Sequence, residues 1–384
     1  MKKIYLAAIF CFLVVASLFF ISGFLIDPLK KESPDVFVGI DVAYGNVEEI
    51  KKLVDEISSY TNAFVVGSTG ITYDVAKLND VCSYVYDRGM YFMIYMHPHN
   101  ETDKLEEQRQ WVDDARIRWG QRFLGLYAYD EPSGRQLDNA TYRVLNETSA
   151  NYIDAAEKYA SQLNNNLGYV RENPINAGNL TLFTSDYALY WFDYKGGYDV
   201  IFAEFGWNYS RQLNVALCRG AATAQNKEWG VMITWTYNHP PYLESGDKLL
   251  EDMVLAYDNG AKYILVFDTN KNYTHGVLEE EHLDALKQFW NYAKNNSRKT
   301  EASSERVAYV LPKGYAYGFR GPNDKIWGFW EGEDDPLSYE ISVDVGKFLD
   351  EYDTKLDIIY DDGIAVDDTY SQYIFWNGTI IFGS

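Results

Sequence analysis

The chain is 384 residues long, with 47% hydrophobic and 16% aromatic residues, enough apolar material for a large core. Its formal net charge of -22 argues against nucleic acid as a partner, because a polyanion repels a phosphate backbone. The 33 Tyr and 10 Trp suit stacking on sugar rings, each joining apolar area to a polar handle, although core packing accounts for any single one as well.

Lys2 and Lys3 precede an uncharged run from Ile4 to Ile26, long enough to span a hydrocarbon core of about 30 Å. The run exceeds the roughly 7–15 residues of a cleaved signal's apolar core and lacks a small-x-small exit. Residues 1–26 therefore read as a transmembrane helix anchored in the cell membrane, or as a signal segment if cleaved. On either reading the bulk of the chain lies outside the cytoplasm. Asn-x-Ser/Thr sequons at Asn100, Asn139, Asn146, Asn179, Asn208, Asn272, Asn295 and Asn377 point to an extracellular glycoprotein. Cys11 lies inside the apolar run, and Cys82 and Cys218 in helix-like segments read as buried free thiols.

Residues 27–35 form a polar linker. Short apolar runs bounded by turn residues then predict strands at Val36–Asp41, Asn62–Gly67, Met90–Met96 and Phe123–Tyr129, and again at Leu180–Thr184, Asp199–Glu204, Gly230–Trp235 and Lys262–Phe267. Between them, Val47–Ser59 carries Ile50, Leu53, Val54 and Ile57 at helical spacing. Asp103–Trp119, Asn151–Leu163, Gln212–Gln225, Leu249–Asn259 and Glu280–Lys294 read the same way, while Asn164–Asn179 reads as a long polar connection. Alternating strands and helices imply a parallel sheet covered by helices. About eight units over residues 36–297 match a (β/α)8 TIM barrel, an open doubly wound sheet being the alternative. A polar linker at 298–305 leads to a small α/β C-terminal domain at 306–384. Its predicted elements are strands Arg306–Leu311, Leu356–Tyr360 and Tyr373–Phe375, helix Ser338–Tyr352 and an aromatic loop with Tyr315, Tyr317, Trp327 and Trp330. It reads as a structural or sugar-contacting module.

The strand Phe123–Tyr129 runs into Asp130, Glu131 and Pro132, and Pro132 cannot extend a central ladder. Carboxylates at the exit of a buried strand need water, a partner or a substrate, and in a barrel such exits build the active site. The other exits supply Asp41 and Tyr44, then Tyr95, His97 and His99, then Glu204 and Trp207, then Trp235, Tyr237 and His239, and finally Asp268 and Asn270. An acidic and aromatic set with almost no Lys or Arg suits a neutral polyhydroxyl substrate. Glycoside hydrolysis needs two carboxyl groups flanking the bond, one to protonate the leaving oxygen and one to attack or activate water. Glu131 and Glu204 are the expected pair, both ending apolar strands with no adjacent base; Asp130 and Asp41 are the alternatives for the second carboxylate. The structural readings are a helix cap for Glu131, a hydrogen bond to a neighbouring strand exit for Glu204 and a turn former for Asp268. Tyr44, Tyr95, His97, Tyr129, Trp207, Trp235 and Tyr237 are the expected substrate contacts. His97 and His99 could share a metal with carboxylates, but only three other His and no Cys cluster support it, so no metal or other cofactor is expected.

These features resemble the TIM-barrel glycoside hydrolase superfamily over roughly residues 36–296. The carriers are Gly39-Ile40-Asp41-Val42, Tyr129-Asp130-Glu131-Pro132 and Ile233-Thr234-Trp235-Thr236-Tyr237. The resemblance implies Glu131 as the acid/base that ends the fourth strand. Asp130 stands where the large retaining clan has Asn, and no acid ends the seventh strand, so barrel glycosidases that pair fourth- and sixth-strand carboxylates are the nearer likeness. The expectation is an extracytoplasmic glycosidase acting on a polysaccharide or glycan. The competing readings are a non-catalytic surface carbohydrate-binding or envelope protein, and a metal-dependent hydrolase using His97 and His99.

Overall fold

A computed structural model describes residues 33–96, 102–171, 180–272, 274–298, 305–364 and 366–383. The apolar run Ile4–Ile26, the pair His97 and His99, and the sequons at Asn100 and Asn179 lie outside the described residues. Among the described residues no helix is long and apolar enough to cross a membrane. From Val36 onward the chain forms one compact unit.

Eight parallel strands close into a barrel in sequence order, which rules out the open sheet. They are β1 (Phe37–Val42), β2 (Ala63–Val66), β3 (Tyr91–Met96), β4 (Phe123–Ala128), β5 (Thr181–Asp186), β6 (Val200–Phe205), β7 (Glu228–Ile233) and β8 (Tyr263–Phe267), with β8 pairing back on β1. Each is followed by a helix, numbered to match: α1 (Val47–Ile57), α2 (Val75–Asp87), α3 (Thr102–Trp119), α4 (Tyr152–Arg171), α5 (Tyr190–Gly196), α6 (Arg211–Ala224), α7 (Gly246–Asp258) and α8 (Glu280–Asn295). α1 starts at a reciprocal cap between Asn46 and Glu49 and buries Ile50, Val54 and Ile57. α4 runs well beyond the expected end at Leu163, because Leu163, Leu167 and Val170 keep one buried face through the polar Asn164-Asn165-Asn166 stretch.

The strands read as continuous apolar runs because both their faces are covered. Val38, Ile40 and Val42 face the helices, and Phe37, Val65, Met93, Tyr127, Phe183, Phe202, Met232 and Leu265 fill the interior. Cys82 and Cys218 are buried free thiols, as expected.

The C-terminal part is a four-stranded sheet in the order β10-β9-β11-β12, with β9 (Val307–Leu311), β10 (Leu356–Tyr360), β11 (Gln372–Phe375), β12 (Ile380–Phe382) and helix α9 (Pro336–Tyr352). It seats β10 against α6. An added Cβ on Gly220 would lie 2.6 Å from the Ile358 carbonyl oxygen, so only glycine permits that approach. Fully buried Asp357 accepts from Arg219 Nε at 2.8 Å and Arg306 Nη1 at 2.7 Å. Tyr315, Tyr317 and Trp327 of the aromatic loop are buried, and the Trp327 carbonyl accepts from Gln136 Nε2 at 3.0 Å.

Candidate active site

Side chains that alternate along a strand put every second residue inside the barrel. Continuing that interior register to the strand ends brings Asp41, Tyr95, Tyr127, Ser185, Glu204, Met232 and Phe267 to one end of the barrel. With Tyr44, Thr69, Asp130, Glu131, Arg135, Trp207, Thr234, Trp235 and Thr269 from the loops, they line a cavity of about 670 Å³. This is the C-terminal end of the strands, where barrel chemistry gathers.

β4 breaks the register at its exit. Tyr129 and Glu131 both take left-handed backbone, with φ 59° and φ 51°, a conformation costing about 1–3 kcal/mol for a non-glycine residue. The first turn swings Tyr129 outward, so that its hydroxyl donates to the Asn166 carbonyl at 3.4 Å instead of facing the cavity. The second delivers Glu131 inward. Two contacts hold the turn: the Glu131 N–H donates to the Ser185 carbonyl at 3.1 Å, and Asp186 accepts from the Ser133 and Gly134 N–H groups at 2.8 Å each. Asp186 therefore caps the short helix Pro132–Leu137, and the Glu131 side chain makes no cap hydrogen bond.

Beneath this turn Asp186 and Asp193 are both fully buried and hydrogen-bonded to each other. Asp193 also accepts from Ser133 Oγ and Tyr159 Oη at 2.8 Å each. Two touching buried carboxyls cannot both ionise, so the pair keeps a proton. Burial pushes Asp186 up to about 6 despite its backbone donors, and burial followed by the charge of Asp186 pushes Asp193 well above the usual carboxylate range.

The cavity acids form a connected ring. Tyr127 Oη donates to Asp130 Oδ1 at 2.7 Å and lies 2.7 Å from Ser185 Oγ, which donates to Glu204 Oε1 at 2.7 Å. The Glu204 and Glu131 carboxyls are hydrogen-bonded to one another. Arg135 closes the ring, its Nε 3.7 Å from Glu131 Oε2 and its Nη2 3.5 Å from Asp130 Oδ2. Burial, then the charge of Asp130, raises Glu131 to about 8 against the opposing pull of Arg135. Burial, then the charge of Glu131, holds Glu204 well above the carboxylate range. The two carboxyls are coupled and titrate as a unit. Asp41, also pushed well up by burial and then by Asp130, sits apart from the ring.

The structure thus brings Glu131, Glu204, Asp130, Asp41, Tyr44, Tyr95, Trp207 and Trp235 to one cavity. Tyr129 points away from it, and Tyr237 is 42% exposed, its ring stacked with that of His239 at 6.4 Å. β7 ends at Ile233, so Trp235 stands in the following loop, its Nε1 donating to the Thr269 carbonyl at 2.5 Å. Glu131 is not without a base, since Arg135 lies one helical turn on, a spacing readable in the sequence. Ser185 and Asp186 escaped notice because β5 continues two residues past the expected end at Thr184. Asp268 is the expected turn former, its Oδ1 accepting from the N–H groups of Gly276, Val277 and Leu278.

No family model and no curated relative matches the sequence. Solved structures match the fold. GH5_18 from Streptomyces cattleya, in complex with GlcNAc, aligns at a TM-score of 0.56 and 9% identity, covering 90% of this chain and all of that one (100%). The alpha-L-fucosidase isoenzyme 2 from Paenibacillus thiaminolyticus aligns at 0.53 and 10% identity, covering 88% of this chain and 59% of that one. At such identities the likeness is one of fold: the chain is a closed eight-stranded (β/α)8 barrel, and these two structures are similar to it in fold.

Proposed function

We propose that this protein is a glycoside hydrolase in which Glu131 is the proton donor and Glu204 the nucleophile or base. The observation that carries this reading is the contacting Glu131–Glu204 pair at the strand exits of an aromatic-walled cavity. A carboxyl raised to about 8 is protonated at neutral pH and ready to donate to a leaving glycosidic oxygen. Its partner Glu204 is the carboxylate for the opposite face. In the described state the two carboxyls are in hydrogen-bonding contact, nearer than the roughly 5–5.5 Å of retaining or 6.5–9.5 Å of inverting enzymes. A sugar ring must therefore part them on binding, and Glu131, carried on a turn rather than a strand, is the member that moves. Trp207, Trp235, Tyr44 and Tyr95 supply the stacking walls. The apolar run Ile4–Ile26 and the sequons support a position outside the cytoplasm, held to a membrane.

The test is hydrolysis of a panel of polysaccharides and aryl glycosides by the wild type and by Glu131→Gln and Glu204→Gln. Both variants should fold, bind sugar and lose at least about a hundredfold in kcat, in line with general acid–base contributions. Full activity in either variant would remove that residue from the mechanism. The contact between the two acids also favours a second reading, a carbohydrate-binding protein without turnover, which predicts saturable sugar binding by a wild type that cleaves nothing.

A further inference from the structure

The ring of hydrogen bonds leaves one cavity acid out. Asp41 is 2% exposed, lines the cavity, and its Oδ1 has no hydrogen-bond partner. The chain makes room for it: an added Cβ on the facing Gly67 would lie 2.6 Å from that oxygen. A buried carboxyl oxygen without a partner is costly, by about 1–3 kcal/mol. The ring does not supply one, for the Tyr127 and Ser185 hydroxyls serve Asp130 and Glu204, and the Arg135 guanidinium serves Asp130 and Glu131. Arg135 is also the one cation lining the cavity among the described residues, against four carboxyls. Four carboxyls against one guanidinium leave the lining acidic.

We propose that the cavity accepts a sugar carrying a free amino group, and that the Asp41 carboxylate pairs with its ammonium. The proposal rests on the glycosidase reading and names the substrate class of that site. A neutral hydroxyl would satisfy the hydrogen bond to Asp41 but leave its carboxylate without a counter-charge; an ammonium supplies both. Burial, then the charge of Asp130, raises Asp41 in the empty site, and an ammonium beside it favours the carboxylate. Binding of R–NH3+ forms the ion pair with Asp41, with no covalent change. The walls suit a cation too, since the faces of Trp207, Trp235, Tyr44 and Tyr95 attract an ammonium within about 6 Å. The charge is not placed for a metal ion: among the described residues no three acidic, imidazole or thiol groups converge closely enough to hold one.

The experiment uses the full chain carrying Glu131→Gln, which blocks turnover, with binding followed by tryptophan fluorescence at pH 6. Glucosamine, galactosamine and mannosamine are each titrated against the parent hexose and the N-acetyl derivative. At least one amino sugar should bind tenfold or more tightly than both of its counterparts. Asp41→Asn, of equal size, added in the same background should bring that preference to within about twofold of unity. If each of the three amino sugars binds no more tightly than its parent or N-acetyl form, the proposal is overturned while the glycosidase reading stands, as it is by a preference that survives Asp41→Asn. If no sugar binds and the wild type cleaves no glycoside or polysaccharide, the glycosidase reading falls and this proposal with it.

Discussion

Arg135 offers the sharpest test of how the site is tuned. Its guanidinium lies 3.7 Å from Glu131 and 3.5 Å from Asp130, where two unit charges interact by about 4 kcal/mol at an effective dielectric constant near 20. The side chains of all three are 30–40% exposed, so screening reduces the net effect on Glu131 to about 1 kcal/mol. That is about 0.7 of a pKa unit. Arg135→Met keeps the aliphatic stem and removes the charge. It also leaves Asp130 unopposed beside Glu131, which acts in the same direction. On the proposed reading Glu131 donates while protonated, so activity should be present below its pKa and lost as pH rises through about 8. In Arg135→Met the alkaline limb of kcat/KM should therefore move up by about 0.7 of a pH unit or slightly more. Asp130→Asn should move it down, because the charge of Asp130 raises Glu131. The assay is the pH profile of kcat/KM from pH 5 to 10 on whichever glycoside the panel shows to be cleaved. An alkaline limb that stays in place in both variants, or that falls in Arg135→Met, would refute Glu131 as the group setting it.

The remaining predictions concern walls, support and stability. Trp235→Ala, which removes a cavity wall, should raise KM at least tenfold, whereas Tyr237→Ala, outside the cavity, should change it less than twofold. Asp193→Ala leaves Tyr159 Oη without its buried acceptor, removes one partner each from Asp186 and Ser133 Oγ, and opens a cavity; it should cost about 2–4 kcal/mol in denaturant unfolding. Asp193→Asn keeps a neutral donor toward Asp186 and should cost about 1 kcal/mol or less. In the wild type Asp186 rises from 3.8 to about 6 on folding. The folded state then holds more protons than the unfolded state across that interval, and this group's contribution falls as pH rises through it. Asp193→Asn should flatten that part of the stability curve, which thermal melts from pH 4 to 8 would show. Asp357→Asn uncovers two guanidinium groups against the C-terminal sheet and should cost about 3–5 kcal/mol by chemical denaturation.

The barrel was legible because a strand covered on both faces must be apolar throughout, and eight such runs separated by helical periodicity leave few topologies. Helix α4 was read short because its outer face is asparagine-rich, and polarity on one face says nothing of the other. Glu131 and Glu204 could be picked out as acids at the exits of apolar strands, but their contact could not, since those strands, β4 and β6, are separated by β5. The expectation that Tyr129 faces the substrate followed correctly from the two-residue period, yet two left-handed residues in three cancel that period, and no local propensity announces them in a Tyr-Asp-Glu sequence.

What the sequence determined by itself is the list of elements, the class of fold and the acidic, aromatic character of the strand exits, because these depend on patterns within one segment. What only the tertiary structure decided is which acids touch, which are braced and which stands alone. Asp186 and Asp193 became a buried support, Arg135 became the counter-charge, and Asp41 was left without a partner, through contacts among β1, β4, β5, β6 and the loops that follow them. Charge and burial are pairwise quantities set by distance through space, and closing the barrel sets those distances.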